Sequence, residues 1–315
     1  MKANNATRPI EAALADLIEE FRARPTIRAG SLITTVFGDS IAPRGGSVWL
    51  GSLIALLEEL GVSERLVRTS VFRLAKDGWL ESRQVGRRSY YSLTADGRER
   101  FRTATLRIYG EPRPSWDGEW RLLLLPGLDA ATRDAVRREC GWLGFGALTS
   151  NVLAHPSADD DELDNTLERL GVRDDVVVMR GHGLGEQGGL HKLVAGAWDL
   201  GELDSGYRVF VDRFDAARSA LIAERDVKPA SAFLLRTLLL QEYRRLLLRD
   251  PQLPAELLPR DWHGVKAYAL CRELYRGLYR ACDAYLGDTV ETADGPLPAP
   301  DADYYQRFGG LRTRK

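Results

Sequence analysis

Apolar residues recur at helical spacing in the first sixty positions and predict the first elements of the fold. One helix is indicated over residues 9–24, and a second over residues 32–41 ends near Pro43. Residues 48–50 could form a short strand. The apolar face of a third helix follows at once, over residues 53–60.

A short turn and a capped helix come next, and their order is informative. Gly61 and Val62 form the turn, and the Ser63 hydroxyl is placed to cap the helix that begins there. Val67 and Val71 define the buried side of that helix. Four side chains point mostly the other way, namely Arg65, Arg68, Thr69 and Arg73.

Strand-like residues follow this helix and predict a hairpin. Residues 79–85 and 89–93 alternate as strands do, and Gly86, Arg87 and Arg88 form a tight turn between them. A scaffold helix, a Gly turn, a capped Arg-bearing helix and an Arg-tipped hairpin occur without insertions. The sequence therefore predicts a winged helix-turn-helix.

The middle of the chain alternates between strand-like and helical segments. Strands are predicted over residues 121–125, 147–153, 176–179 and 192–197, and helices over residues 129–139 and 161–170. This order fits a ferredoxin-like α/β module.

Helical periodicity returns after Trp198 and predicts an all-α C-terminal domain. Apolar stripes run over residues 209–221, 233–248 and 268–285, and the chain becomes rich in Pro, Asp and Gly after Leu286. We therefore predict an α+β multidomain protein. Its parts are a DNA-binding domain at 1–112, a ferredoxin-like domain at 113–198, a helical effector or dimerisation domain at 199–287 and a flexible tail at 288–315.

Charge is nearly balanced overall but is uneven along the chain. The net charge is −1, whereas residues 63–107 carry eleven Arg or Lys against five acids, and residues 155–205 carry four against twelve. The first region suits a polyanion and the second repels one. With no secretory signal and no apolar run near the roughly 20 residues of a membrane span, we expect a cytoplasmic protein.

The basic helix and hairpin match the chemistry of duplex DNA. The major groove admits one helix, and an Arg fork can bond guanine O6 and N7 together, while Arg at a hairpin tip can approach phosphates. A charged helix face that is merely solvated is the alternative interpretation. The candidate DNA contacts are Ser63, Arg65, Arg68, Thr69, Arg73, Arg83, Arg87 and Arg88.

Enzymatic interpretations have weaker support from the residues, and we predict neither catalytic nor metal-binding residues. The three cysteines are best explained as buried thiols, the four histidines match no metal template, and residues 159–162 are acids suited to a helix start. The alternative function is a metal-dependent nuclease on the central module, for which Asp129 is the candidate ligand. An activator or a structural DNA-binding protein would carry the same DNA-binding domain.

Several segments resemble the phenylacetic-acid degradation repressors of the PaaX type. The longest is VWLGSLIALLEELGVSERLVRTSVFRLAKDGWL, which begins at Val48. The others are SLITTVFGDSIAPRG from Ser31, WDGEWR from Trp116, WLGFG from Trp142 and EYRRLLLRDPQLPAELLPRDW from Glu242. The resemblance covers nearly the whole chain up to Leu286.

The resemblance implies a dimeric repressor of aromatic catabolism genes that leaves its operator when it binds an aryl-CoA thioester such as phenylacetyl-CoA. A CoA thioester needs cations for its phosphates and an apolar slot for its ring. Tyr243, Arg244 and Arg245 are the candidate ligand contacts. Two sites depart from the family: residues 124–127 read LLPG, and Gln241 stands where a His is usual.

Overall fold

A computed structural model describes residues 8–111, 115–183, 187–224 and 226–312 of the chain as a mixed α/β protein. The helices are α1 (Pro9–Arg22), α2 (Ala29–Val36), α3 (Leu50–Glu58), α4 (Glu64–Lys76), α5 (Ala95–Tyr109), α6 (Ala130–Trp142), α7 (Asp160–Arg169), α8 (Gln187–Ala197), α9 (Leu200–Ala223), α10 (Pro229–Leu247) and α11 (His263–Thr289). The strands are β1 (Ser47–Trp49), β2 (Leu80–Val85), β3 (Arg88–Leu93), β4 (Glu119–Leu124), β5 (Gly146–Thr149), β6 (Val152–His155), β7 (Val177–His182), β8 (Glu291–Thr292) and β9 (Gly295–Pro296). None of the helices in these ranges is both long and apolar enough to cross a membrane.

The chain divides into two compact units whose limits differ from the predicted domain boundaries. Unit 1 contains the described residues up to 111 together with 210–244 and 267–312, and unit 2 contains those from 115 to 209 together with 245–266. The predicted helical domain at 199–287 is thus shared between the two units. The predicted boundary at 112 and 113 lies outside the described residues, as do residues 1–7 and 313–315 of the predicted end segments.

Unit 1 is built around a small sheet and the helices that precede and follow it. The strand order is β1-β3-β2, with both neighbouring pairs antiparallel, and Val48 lies opposite Tyr91. The helix α2 packs against α4, and a π-helical turn at Phe37–Ile41 extends α2. Leu32, Ile33 and Leu53 are completely buried, so the apolar positions of the sequence pattern form this core.

Unit 2 has a four-stranded sheet with the order β5-β6-β4-β7, in which all neighbours are antiparallel. One face of this sheet is covered by α6 and α7. Its apolar core includes Leu123, Leu153, Val136 and Leu167. The predicted strand over residues 147–153 is two strands, β5 and β6, and the chain order of strands and helices is therefore βαββαβ.

Two sequence-based predictions are wrong. Residues 192–197 belong to the helix α8 and not to a strand. The predicted flexible tail is anchored near its end, because Tyr304, Phe308 and Leu311 are each at most 2% exposed. The predictions failed because a short apolar run suits either element and because a polar average composition conceals a few anchoring side chains.

A buried ionic cluster ties this tail to the core of unit 1. Asp39, in the π-helical turn, contacts Arg236 of α10 at 2.9 Å and Arg307 of the tail at 3.0 Å. The hydroxyl groups of Tyr109 and Tyr275 both donate hydrogen bonds to the Asp39 carboxylate. The buried side chains of the tail are thus part of the interior of unit 1.

Candidate nucleic-acid interface

The turn between α3 and α4 fixes the orientation of α4. Gly61 has a φ of +80°, a left-handed conformation that favours glycine. The Ser63 side chain accepts a hydrogen bond from the Leu66 backbone N–H at 3.4 Å and so caps α4 as predicted. Val67 and Val71 are completely buried, which anchors one side of α4 in the core.

The opposite side of α4 faces solvent and carries the predicted cations. Arg68 binds Glu64 of the previous helical turn at 2.6 Å, an exposed pair of small energetic value. The Thr69 hydroxyl donates to the Arg65 carbonyl at 2.9 Å. Five exposed polar side chains form this surface, namely Arg65, Arg68, Thr69, Arg73 and Lys76. We call it the α4 face; it is not used for packing within the described structure.

The hairpin of β2 and β3 displays two of its three predicted arginines freely to solvent. Gly86 has a φ of +60° and permits the two-residue turn in which Arg87 is exposed, and Arg83 is exposed on β2. Arg88 is held instead by an ion pair with Glu291 of β8, and its guanidinium lies 4.2 Å from the ring centre of Trp49. Arg88 is therefore less available to another anion than Arg83 or Arg87.

Phe72 lies among the polar residues of the α4 face and was not among the candidate DNA contacts predicted from the sequence. Its side chain is 67% exposed, and it follows Arg68 by four residues and Arg65 by seven. Aromatic residues are normally assigned to the core from sequence. The available signal was its position, since Phe72 falls on the polar side of a helix whose buried side is set by Val67 and Val71.

The three candidate ligand residues lie in different environments. Tyr243 is buried, with its ring 5.6 Å from that of Phe210, and Arg245 is exposed. Arg244 alone lines a small cavity of about 20 Å³. Its other lining residues are Thr34, Thr35, Gly38, Asp39, Phe101, Ala104, Thr105, Ile108, Tyr109 and Leu240. We call this space the Arg244 cavity.

The guanidinium of Arg244 has no carboxylate partner among the described residues. Its Nη2 donates to the carbonyl and hydroxyl oxygens of Ser31, and its Nε is buried without a hydrogen-bond acceptor. Burial lowers the pKa of Arg244 below its ordinary value. Gln241 joins the same network by accepting from Thr35 at 2.6 Å and donating to Ser31.

The acidic residues considered as metal ligands or helix starts serve as helix caps. Asp129 accepts hydrogen bonds from the backbone and the hydroxyl of Thr132, which lowers its pKa, and Asp159 caps α7 as expected. The described residues contain no group of three or more His, Cys, Asp or Glu arranged to hold a metal. Cys140, Cys271 and Cys282 are free and buried, which confirms the prediction of buried thiols.

Comparisons with known proteins assign the chain to one protein family. Family models match residues 28–97 (PaaX-like protein), 113–192 (PaaX protein central Cas2-like domain) and 198–288 (PaaX-like protein C-terminal domain). The chain is 42% identical over 289 residues to the transcriptional repressor PaaX of Escherichia coli strain K12, covering 90% of this chain and 91% of the relative. It is also similar to the solved structure of the uncharacterized protein Rv0674 from Mycobacterium tuberculosis, with a TM-score of 0.50 and 25% identity over 75% of this chain and 90% of that chain. The chain therefore belongs to the PaaX family of proteins.

Proposed function

We propose that this chain is a DNA-binding transcriptional repressor that acts in the cytoplasm as a homodimer. The observation that carries the proposal is the α4 face, whose cations are exposed on a capped helix anchored by Val67 and Val71. The order of α2, β1, α3, α4, β2 and β3 fits a winged helix-turn-helix, in which α4 would enter the major groove. The relative's description as a transcriptional repressor supports the same function.

The remaining parts of the chain fit a regulatory role. We assign unit 2's βαββαβ sheet to the ferredoxin-like class on its strand order. The small size of one contact supports a homodimer, because one helix reads only a few base pairs and two-fold related helices fit half-sites about 34–36 Å apart. No observation favours the nuclease alternative, since Asp129 is used to cap α6.

The experiment compares arginines on α4 and on the hairpin. Arg65→Ala should reduce the preference of the protein for its own upstream DNA over random DNA, because a good bidentate contact to a base provides about 1–3 kcal/mol of discrimination. Arg87→Ala should instead weaken binding to all sequences and reduce the slope of log affinity against log salt by about 0.9. Titrations of both DNAs at several salt concentrations measure these effects. Equal affinity of the unmodified protein for both DNAs would exclude specific recognition.

We further propose that an aryl-CoA thioester, such as phenylacetyl-CoA, releases the repressor and places its acyl end in the Arg244 cavity. The cavity combines an aromatic wall, Phe101, with hydroxyl groups and one unpaired cation that can donate to the thioester carbonyl. It also lies against α5, which directly follows β3 of the hairpin. At about 20 Å³ the cavity holds about one water molecule, so its walls must move apart to admit the acyl group, and the CoA phosphates would lie outside it.

A second cavity, in unit 2, is larger but lacks the cation that would donate to the thioester carbonyl. It measures about 640 Å³ and is lined mainly by apolar residues of α8 and the start of α9, including Val194, Trp198 and Leu200. Asp199 contributes a carboxylate, and its described lining contains no Arg or Lys. We therefore assign the effector to the Arg244 cavity.

The effector assignment predicts a loss of response in one arginine variant and not in its neighbour. Phenylacetyl-CoA at 100 times its dissociation constant should stabilise the unmodified protein by about 2.7 kcal/mol and should release its DNA. Arg244→Met should bind DNA normally but lose both effects, whereas Arg245→Met, at an exposed position, should keep them. Thermal unfolding and DNA release with a panel of CoA thioesters and free acids provide the measurement. Stabilisation by free acids alone, or an unchanged response of Arg244→Met, would contradict the assignment.

A further inference from the structure

Phe72 is among the most exposed large apolar side chains of the described residues, and its position on α4 is unusual. At 67% exposure it equals Leu106 of α5 and exceeds Trp142. Around the helix axis it falls between Arg68 and Arg65 of the α4 face, on the side away from the buried Val67 and Val71. Two-thirds of this aromatic residue is exposed on a cationic surface, so it contributes little to the packing of the chain.

The major groove offers one apolar group to such a ring. Guanine and adenine present hydrogen-bonding atoms there, and thymine presents its C5-methyl group, which apolar side chains including Phe contact. The arginines of the α4 face can recognise the polar edges and the phosphates, but they gain little from a methyl group. Phe72 supplies the complementary contact that these cations lack.

We propose that Phe72 contacts the C5-methyl group of a thymine in each operator half-site and so determines sequence specificity. The inference rests on the proposed insertion of α4 into the major groove. The helical rise of about 1.5 Å per residue places Phe72 about 10 Å along the axis from Arg65. The thymine therefore lies within about three base pairs of the base or phosphate that Arg65 contacts, because successive base pairs are about 3.4 Å apart.

Uracil-substituted DNA tests the contact, because uracil differs from thymine only in lacking the methyl group. The DNA upstream of the protein's gene is synthesised with thymine or with uracil in both strands. Removing one contacted methyl group should lower the affinity of the unmodified protein for DNA by about fourfold, since a buried methylene is worth about 0.8 kcal/mol. A dimer that contacts one methyl group in each of two half-sites should lose about sixteenfold in affinity.

The Phe72→Ala variant should bind the thymine DNA about as weakly as the unmodified protein binds the uracil DNA. It should not distinguish the two DNAs. Leu106→Ala is the matched control, because Leu106 is equally exposed but lies on α5, and it should keep the full preference for thymine. An unchanged thermal midpoint of Phe72→Ala shows that the variant folds, as expected for an exposed side chain.

The outcomes separate this inference from the proposed function. Specific binding of the unmodified protein with equal affinity for thymine and uracil DNA overturns the role of Phe72 and leaves DNA recognition intact. A preference for thymine that persists in Phe72→Ala also overturns it. Equal binding of operator and random DNA overturns both proposals together.

Discussion

Replacing Asp39 by Asn should lower the unfolding free energy of unit 1 by about 3–5 kcal/mol, the usual cost of removing one partner from a buried ion pair. The Asp39 carboxylate is 3% exposed and faces two guanidinium groups that are themselves buried, those of Arg236 and Arg307. Asparagine keeps the size of the side chain but removes its charge. Among the described carboxylates, Arg236 would then keep only the more distant Asp283 at 3.6 Å. Arg307 would keep hydrogen bonds to neutral groups such as the Tyr275 hydroxyl.

Local hydrogen exchange is the appropriate measurement for this variant. Only Trp49 and Trp79 of the seven tryptophans belong to unit 1, so whole-chain fluorescence reports mainly on unit 2. Exchange of peptides covering residues 270–286, followed by mass spectrometry across a urea series, isolates the unfolding of unit 1. Glu64→Gln, which breaks the exposed pair with Arg68, is the control and should change stability by at most about 0.5 kcal/mol. An equally small effect of Asp39→Asn would refute the importance of the cluster.

The pH dependence of the Asp39 contribution has a definite sign. Burial alone would raise the pKa of Asp39, but the attraction of Arg236 and Arg307 and the hydrogen bonds from Tyr275 and Tyr109 lower it below its ordinary value. A lowered folded-state pKa means that the stabilisation is fully present above the unfolded pKa, near about 4. It is lost as pH falls through the lower folded value. The difference in unfolding free energy between the unmodified protein and Asp39→Asn should therefore stay constant from neutral pH to about pH 5. It should decrease only below about pH 4.

Local signals made the α4 region predictable from sequence. A turn glycine, a capping serine and valines at helical spacing determine where α4 begins and which side is buried, and each acts within a few residues. The Gly86 turn likewise places Arg87 at the tip of the hairpin. These features do not depend on distant parts of the chain, and the described structure contains all of them.

Long-range packing explains what the sequence did not indicate. The helix α5 was not predicted because its residues are mostly polar, and only contacts elsewhere show that Phe101 and Ile108 are buried. The ion pair of Arg88 joins residues 203 positions apart. The Arg244 cavity also draws its lining from α2, α5 and α10. The predicted ligand contacts were three consecutive residues of α10, and only one of them, Arg244, lines the cavity.

A chain that ends at Pro300 should lose the fold of unit 1, because the removed segment fills part of its interior. Phe308 is completely buried, with its ring 5.4 Å from that of Tyr109, and Tyr304 and Leu311 are almost so. Burial of three such side chains contributes roughly 5–9 kcal/mol, which is comparable to the whole stability of about 5–15 kcal/mol of a typical domain. The truncation also removes Arg307 from Asp39.

The expected result is rapid exchange in peptides covering residues 270–286 and no binding of operator DNA, since α4 belongs to the same unit. Phe308→Ala should give a graded effect of about 3–5 kcal/mol, as in other large-to-small core substitutions. Gln306→Ala, at an exposed position of the same segment, should change stability by at most about 0.5 kcal/mol. A flexible tail would give the opposite outcome, in which the shortened chain keeps its exchange protection and its affinity for DNA. The truncation thus decides whether the final segment is part of the folded DNA-binding unit.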